Sequence, residues 1–123
     1  MNVELERTVR FEAAHRLPNV PPDHKCQRLH GHSFRVDIAV SGPIDPEVGW
    51  FLDYAEIDAA FAPLREQLDH HYLNEVPGLE NPTSENLAVW IWERLVPRLP
   101  SLSRLVVHET CNARCIYTGP DAA

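Results

Sequence analysis

Three histidines, His15, His30 and His32, are the residues whose type and spacing most directly suggest chemistry. Over residues 3–15 the odd positions read Val, Leu, Arg, Val, Phe, Ala, His, while the even positions from Asn2 to Glu12 are polar. That alternation is a half-buried strand with His15 on its apolar side. Over residues 30–40 the even positions read His30, His32, Phe34, Val36, Ile38 and Val40, so both of these histidines share the parity of an apolar face. An inward imidazole is costly unless both ring nitrogens find partners, and one metal ion satisfies several rings at once. Three imidazoles leave the fourth position of a tetrahedral Zn2+ open, the arrangement of a catalytic rather than a structural site. The competing account is three separately hydrogen-bonded histidines. Gly31, between two of them, fits a position where a side chain would crowd a metal or a ligand.

Cys26 lies four residues before His30, at the end of a proline-rich loop, where a nearby cation would lower its pKa and make it a usable thiolate. It reads equally well as an inert buried thiol or a fourth zinc ligand. Cys111 and Cys115 read as packing residues of a terminal hairpin. Asp69-His70-His71 places an acid beside imidazoles, a proton-transfer pair if a cleft receives it and a solvated helix end otherwise. Glu109 has the parity of Leu105 and Val107, so it is an acid aimed at an apolar side, served either by a ligand's guanidine edge or by Arg114.

These residues need a scaffold. After the two strands, Ile57, Phe61, Leu64 and Leu68 recur at helical spacing from Asp53 onward, with Pro63 inside the pattern, which predicts a kink near Ala59 or a restart at the proline. A second helix is capped by Thr83 and favoured by Glu85; it buries Leu87, Trp90, Ile91 and Leu95 and stops at Pro97 and Pro100. Residues 102–109 and 114–118 read as two short strands joined at Cys111-Asn112-Ala113. Residues 17–25, with Pro18, Pro21 and Pro22, form a loop, and the second strand ends at Ser41-Gly42-Pro43. The order ββααββ predicts one α+β domain over residues 1–123, an antiparallel four-stranded sheet with two helices on one face.

Bulk properties agree with this. A chain of 123 residues with 44% hydrophobic and 24% charged residues suits a single folded domain. The formal charge of -7 excludes a general nucleic-acid binder. With no basic-flanked apolar start and no run of apolar residues long enough to span a bilayer, the expectation is a cytoplasmic protein without membrane contact. Three cysteines, an odd number, argue against a disulfide framework.

Phe11-Glu12-Ala13-Ala14-His15, Cys26 followed three residues later by His30-Gly31-His32, Leu68-Asp69-His70, Asn81-Pro82-Thr83-Ser84-Glu85 and Glu109-Thr110-Cys111 together resemble the 6-pyruvoyltetrahydropterin synthase family, in order and over nearly the whole chain. The cysteine-to-histidine spacing, with Gly49-Trp50, Asp69-His70-His71-Tyr72-Leu73-Asn74 and Pro77-Gly78-Leu79-Glu80, is similar to the queuosine-pathway branch of that family. The resemblance implies the tunnelling fold, a homo-oligomer, commonly a hexamer, and active sites between neighbouring subunits. It implies a small-molecule pterin triphosphate, 7,8-dihydroneopterin triphosphate, converted with water into 6-carboxytetrahydropterin, acetaldehyde and triphosphate. On that expectation His15, His30 and His32 hold zinc, Cys26 is one base, and His70 oriented by Asp69 moves a second proton. Glu109 binds the pterin, with Thr83, Ser84 and Thr110 around the ring. Lys25 and Arg28 either meet the triphosphate or stay solvated. The rivals are a pyruvoyl-forming or aldolase-like pterin enzyme, a three-histidine zinc hydrolase in which Cys26 only packs, and a non-catalytic zinc or pterin binding module.

Overall fold

The computed structural model describes residues 1–25, 28–109 and 112–121, and of His32 the backbone alone. Alternation builds two long strands, β1 (Asn2–His15) and β2 (His30–Pro43), which pair antiparallel along their whole length. Their register is set by the apolar faces: Val9 opposes Val36 and Phe11 opposes Phe34, with the two phenyl rings stacked at 5.1 Å. A one-residue slip would turn every one of these side chains to the other face, so the register is strongly specified. The same register carries His15 opposite His30.

Helix α1 (Tyr54–Leu68) is capped by Asp53, whose carboxylate accepts from the Ala55 amide, and it buries Ile57, Ala60, Phe61, Leu64 and Leu68. Helix α2 (Ser84–Leu95) buries Leu87, Ala88, Trp90, Ile91, Trp92 and Leu95. Both helices cover the face of the sheet that presents Val9, Phe11, Phe34, Val36, Ile38, Leu105 and Val107. Each such aliphatic or aromatic side chain contributes about 1.5–3 kcal/mol on leaving water.

Pro63 neither ends nor restarts α1, contrary to the restart the sequence allows. Proline deprives the carbonyl one turn back, that of Ala59, of its intrahelical donor. Arg98 takes that place, its Nη1 donating to the Ala59 carbonyl at 3.2 Å.

The sheet has one strand more than the four expected. Its order is β3-β1-β2-β4-β5, where β3 is His71–Tyr72, β4 is Leu102–His108 and β5 is Arg114–Tyr117. The added β3 runs parallel to β1 at Ala13 and Ala14, while the other pairings are antiparallel. Two residues carry no readable periodicity; side chains hold this strand instead. Asp69 Oδ1 accepts from the Glu12 amide, the His70 amide donates to the Glu12 carbonyl, and the Asn74 amide group bonds both the N–H and the carbonyl of Arg16. Strand β2 ends at Pro43, within the Ser41-Gly42-Pro43 stop that the sequence marks. Gly42 admits Phe51: a Cβ there would lie 2.1 Å from its ring.

Candidate active site

At the end of β1 and the start of β2, His15 and His30 turn their Nε2 atoms toward each other at 3.0 Å. His15 is buried, 1% exposed, with its ring edge against Phe34. Its Nδ1 donates to the Pro82 carbonyl at 2.9 Å, and His30 Nδ1 donates to the Arg28 carbonyl at 2.8 Å. A carbonyl only accepts, so the hydrogen of each neutral ring sits on Nδ1 and each Nε2 presents a lone pair. Two Nε2 atoms at this distance are reconciled by a cation shared between them, either a proton in an N–H···N bond or a metal ion bound by both rings. A ring held by a carbonyl at one nitrogen and presenting the other is the usual arrangement of a metal-binding histidine. The donor set therefore fits a divalent metal. Among the described residues no group of three such ligands forms; the side chain of His32 lies outside them, as does Cys26.

The acid and histidine after α1 lie elsewhere. Asp69 Oδ2 is 3.8 Å from His70 Nε2, beyond hydrogen-bond reach, while its Oδ1 is engaged by the Glu12 amide. His70 adopts φ 59° and its side chain is 79% exposed. It opens into a cleft of about 520 Å³ with Glu12, Ala14, Gly31, Ser33, His71 and Tyr72, on the sheet face opposite the helices. Gly31 belongs to this cleft. A Cβ there would meet only the Ala13 carbonyl, at 3.6 Å, so what its absence leaves open is room beside His70 and not space around the paired imidazoles.

Glu109 follows β4, its amide closing on the Ala113 carbonyl at 3.0 Å. The residue is half-buried, and among the described residues its carboxylate forms no ion pair, so the Arg114 bridge is absent. Thr83 caps α2, its Oγ1 accepting from the Asn86 amide at 3.1 Å, and Ser84 Oγ donates to Glu85. Thr110 lies outside the described residues. Cys115 is a free, half-buried thiol whose pKa is pushed up by burial and then by the charge of Glu85, which suits a packing role.

Two groupings have no counterpart in the sequence reading. Glu12 accepts from Ser33 Oγ at 2.7 Å on the cleft wall, although its parity alone marks it as a solvated charge. Asp37, 5% exposed, accepts from Thr8 Oγ1 at 2.6 Å, His108 Nε2 at 2.7 Å and Arg35 Nε at 3.3 Å. Burial opposes its charge, but the bonds from Thr8, His108 and Arg35 outweigh it and hold the carboxyl below its ordinary 3.8. An acid between Val36 and Ile38 is the one trace of this cluster in the sequence.

Paired strands that bring two imidazoles together beneath two helices now have a family. A model of the 6-pyruvoyl tetrahydropterin synthase family matches residues 4–120, and the chain belongs to that family. It is 42% identical over 116 residues to the 6-carboxy-5,6,7,8-tetrahydropterin synthase of Synechocystis sp., covering 89% of this chain and 88% of that one. It is 34% identical to the dihydroneopterin monophosphate aldolase of Pyrococcus furiosus, covering 80% and 82% of the two chains. The solved 6-pyruvoyl tetrahydropterin synthase of Caenorhabditis elegans shares the fold with a TM-score of 0.87 at 26% identity, over 98% of this chain and 97% of that one.

Proposed function

We propose that this chain is a zinc-dependent lyase that converts 7,8-dihydroneopterin triphosphate and water into 6-carboxy-5,6,7,8-tetrahydropterin, acetaldehyde and triphosphate, supplying 7-deazaguanine and queuosine synthesis in the cytoplasm. The observation that carries this reading is the approach of His15 Nε2 and His30 Nε2, each ring fixed through Nδ1 on a backbone carbonyl. The 42% identity to the Synechocystis enzyme favours the carboxy product over the alternatives within the family.

His15, His30 and His32 hold the ion. Once bound, zinc supplies Lewis acidity at the oxygens of the substrate's side chain, making the adjacent protons removable near neutral pH. Cys26, as thiolate, takes one of these protons. His70 carries a second, with the carboxylate of Asp69 3.8 Å from its Nε2. Glu109, lacking an arginine partner, accepts from the pterin's amino and ring N–H groups as a paired acceptor and so fixes the ring. Thr83, Ser84 and Thr110 border the ring. The working protein is a homo-oligomer, a hexamer, in which neighbouring copies complete each site.

The test is incubation of zinc-loaded protein with 7,8-dihydroneopterin triphosphate, followed by mass spectrometry. Acetaldehyde and the carboxypterin in equal amounts are expected. Triphosphate release with a pyruvoyl product and no acetaldehyde would establish the pyruvoyl-forming reaction instead, and binding without turnover would leave a pterin-binding module.

A further inference from the structure

The segment ahead of α2 is built around one carbonyl, that of Pro82, which receives the buried Nδ1–H of His15 at 2.9 Å. Three constraints fix where that carbonyl points. The Thr83 amide donates to the Asn81 carbonyl at 2.9 Å, closing a three-residue turn centred on Pro82. Proline's ring presets the φ that such a turn requires. Asn86 then clamps the turn from the first turn of the helix: its side-chain Nδ2 donates to the Asn81 carbonyl at 2.9 Å, and its backbone amide donates to Thr83 Oγ1. A helix cap needs only the second of these bonds. The first ties the helix to the residue before the proline, and its effect falls on the Pro82 carbonyl and through it on the His15 ring.

We propose that the Asn81-Pro82-Thr83 turn is the outer support of the metal centre, and that Asn86 is a positioning residue that fixes the tautomer and aim of His15 through the Pro82 carbonyl. This rests on the reading of His15 and His30 as metal ligands. It gives the hydroxyl oxygen of Thr83 a structural task, accepting from the Asn86 amide, while its O–H remains a donor. Asn86 is exposed, so changing it leaves the core intact.

The test is the zinc affinity of the purified full-length protein, by competition with a chromogenic chelator, together with the visible spectrum of the Co2+-substituted form. Asn86→Ala retains the backbone cap and is expected to bind zinc about tenfold more weakly, in the range usual for lost outer-shell partners. Its Co2+ bands should shift, while the melting temperature of the metal-free protein stays as in the wild type. Asn86→Gln, which keeps an amide donor at the same helical position, should recover part of the affinity. An Asn86→Ala affinity equal to the wild type, beside a His15→Ala protein that has lost binding, overturns the positioning role alone. If His15→Ala also binds zinc as well as the wild type, the metal reading falls and this proposal falls with it.

Discussion

His70 sits at φ 59°, a left-handed conformation that costs a residue with a Cβ about 1–2 kcal/mol. The chain accepts this at the reversal from α1 into β3, where the His70 amide must reach the Glu12 carbonyl and the imidazole faces the cleft. Strain retained at this exposed imidazole fits the proton-carrying role proposed for His70. Glycine would relieve the backbone and remove the imidazole proposed to carry a proton. His70→Gly should therefore unfold at equal or higher denaturant concentration, gaining up to about 1 kcal/mol, while turnover falls by about two to four orders of magnitude. A loss of stability with turnover intact would remove both claims. Asp37 presents the opposite case, a buried charge serving the sheet. Its carboxyl is held below 3.8 because bonds from Thr8, His108 and Arg35 overcome the cost of burial. A depressed carboxyl stabilises the fold above its unfolded pKa, and that contribution disappears as pH falls through the lower folded value. Asp37→Asn should be less stable at pH 7 by about 1–3 kcal/mol, the cost of leaving buried partners poorly matched. In urea unfolding the gap to the wild type should narrow as pH drops below 3.8; a gap that stays constant would exclude the linkage.

At the scale of elements, Pro63 shows how a local rule yields to a tertiary contact. The proline leaves the Ala59 carbonyl without its helical donor, and Arg98, from beyond α2, supplies one. Restoring the amide should make α1 more regular, so Pro63→Ala is expected to raise stability by about 1 kcal/mol, part of the interior proline penalty being offset by the freer unfolded chain. Thermal unfolding reads this directly, and a lower melting temperature would mean that the Arg98 contact depends on the proline. The same contrast explains what the sequence could disclose. Strands β1 and β2 and the buried stripes of α1 and α2 were legible because periodicity repeats over many residues: Ile57, Phe61, Leu64 and Leu68 all lie in the core, and Thr83 caps α2 as its type predicts. Strand β3 was not, because two residues have no period and its hold comes from Asp69, the His70 backbone and Asn74 acting across more than fifty positions. Likewise the pairing of His15 with His30 follows from parity and register, whereas the Pro82 carbonyl that orients His15 is 67 positions away and belongs to no pattern in the sequence. The cleft residues Glu12 and Ser33 looked like ordinary solvated positions because nothing in their own strands tells that α1 ends against this edge.

Across the whole molecule the two candidate chemical groups face different ways. His15 is enclosed on the helix side of the sheet beside Phe34 and Pro82, whereas His70 opens into the cleft on the opposite face with Glu12, Ser33 and Tyr72. One reaction centre that uses both is most simply assembled between copies, the histidines proposed to hold metal coming from one chain and Asp69 with His70 from another. That arrangement makes a prediction that a self-contained site does not. His15→Ala and His70→Ala should each be inactive alone, yet a mixed oligomer formed by co-expressing them contains junctions where an intact His15 meets an intact His70. In random mixing of equal amounts about one quarter of such junctions are complete, so activity should return to about that fraction of the wild-type level. The measurement is turnover of the co-purified mixture against each variant by itself, with mixed assemblies isolated through two different affinity tags. A mixture as inactive as its components would place all the reacting groups within a single chain, and the cleft would then have to reach the imidazoles by a movement of residues 69–74 away from the edge of β1.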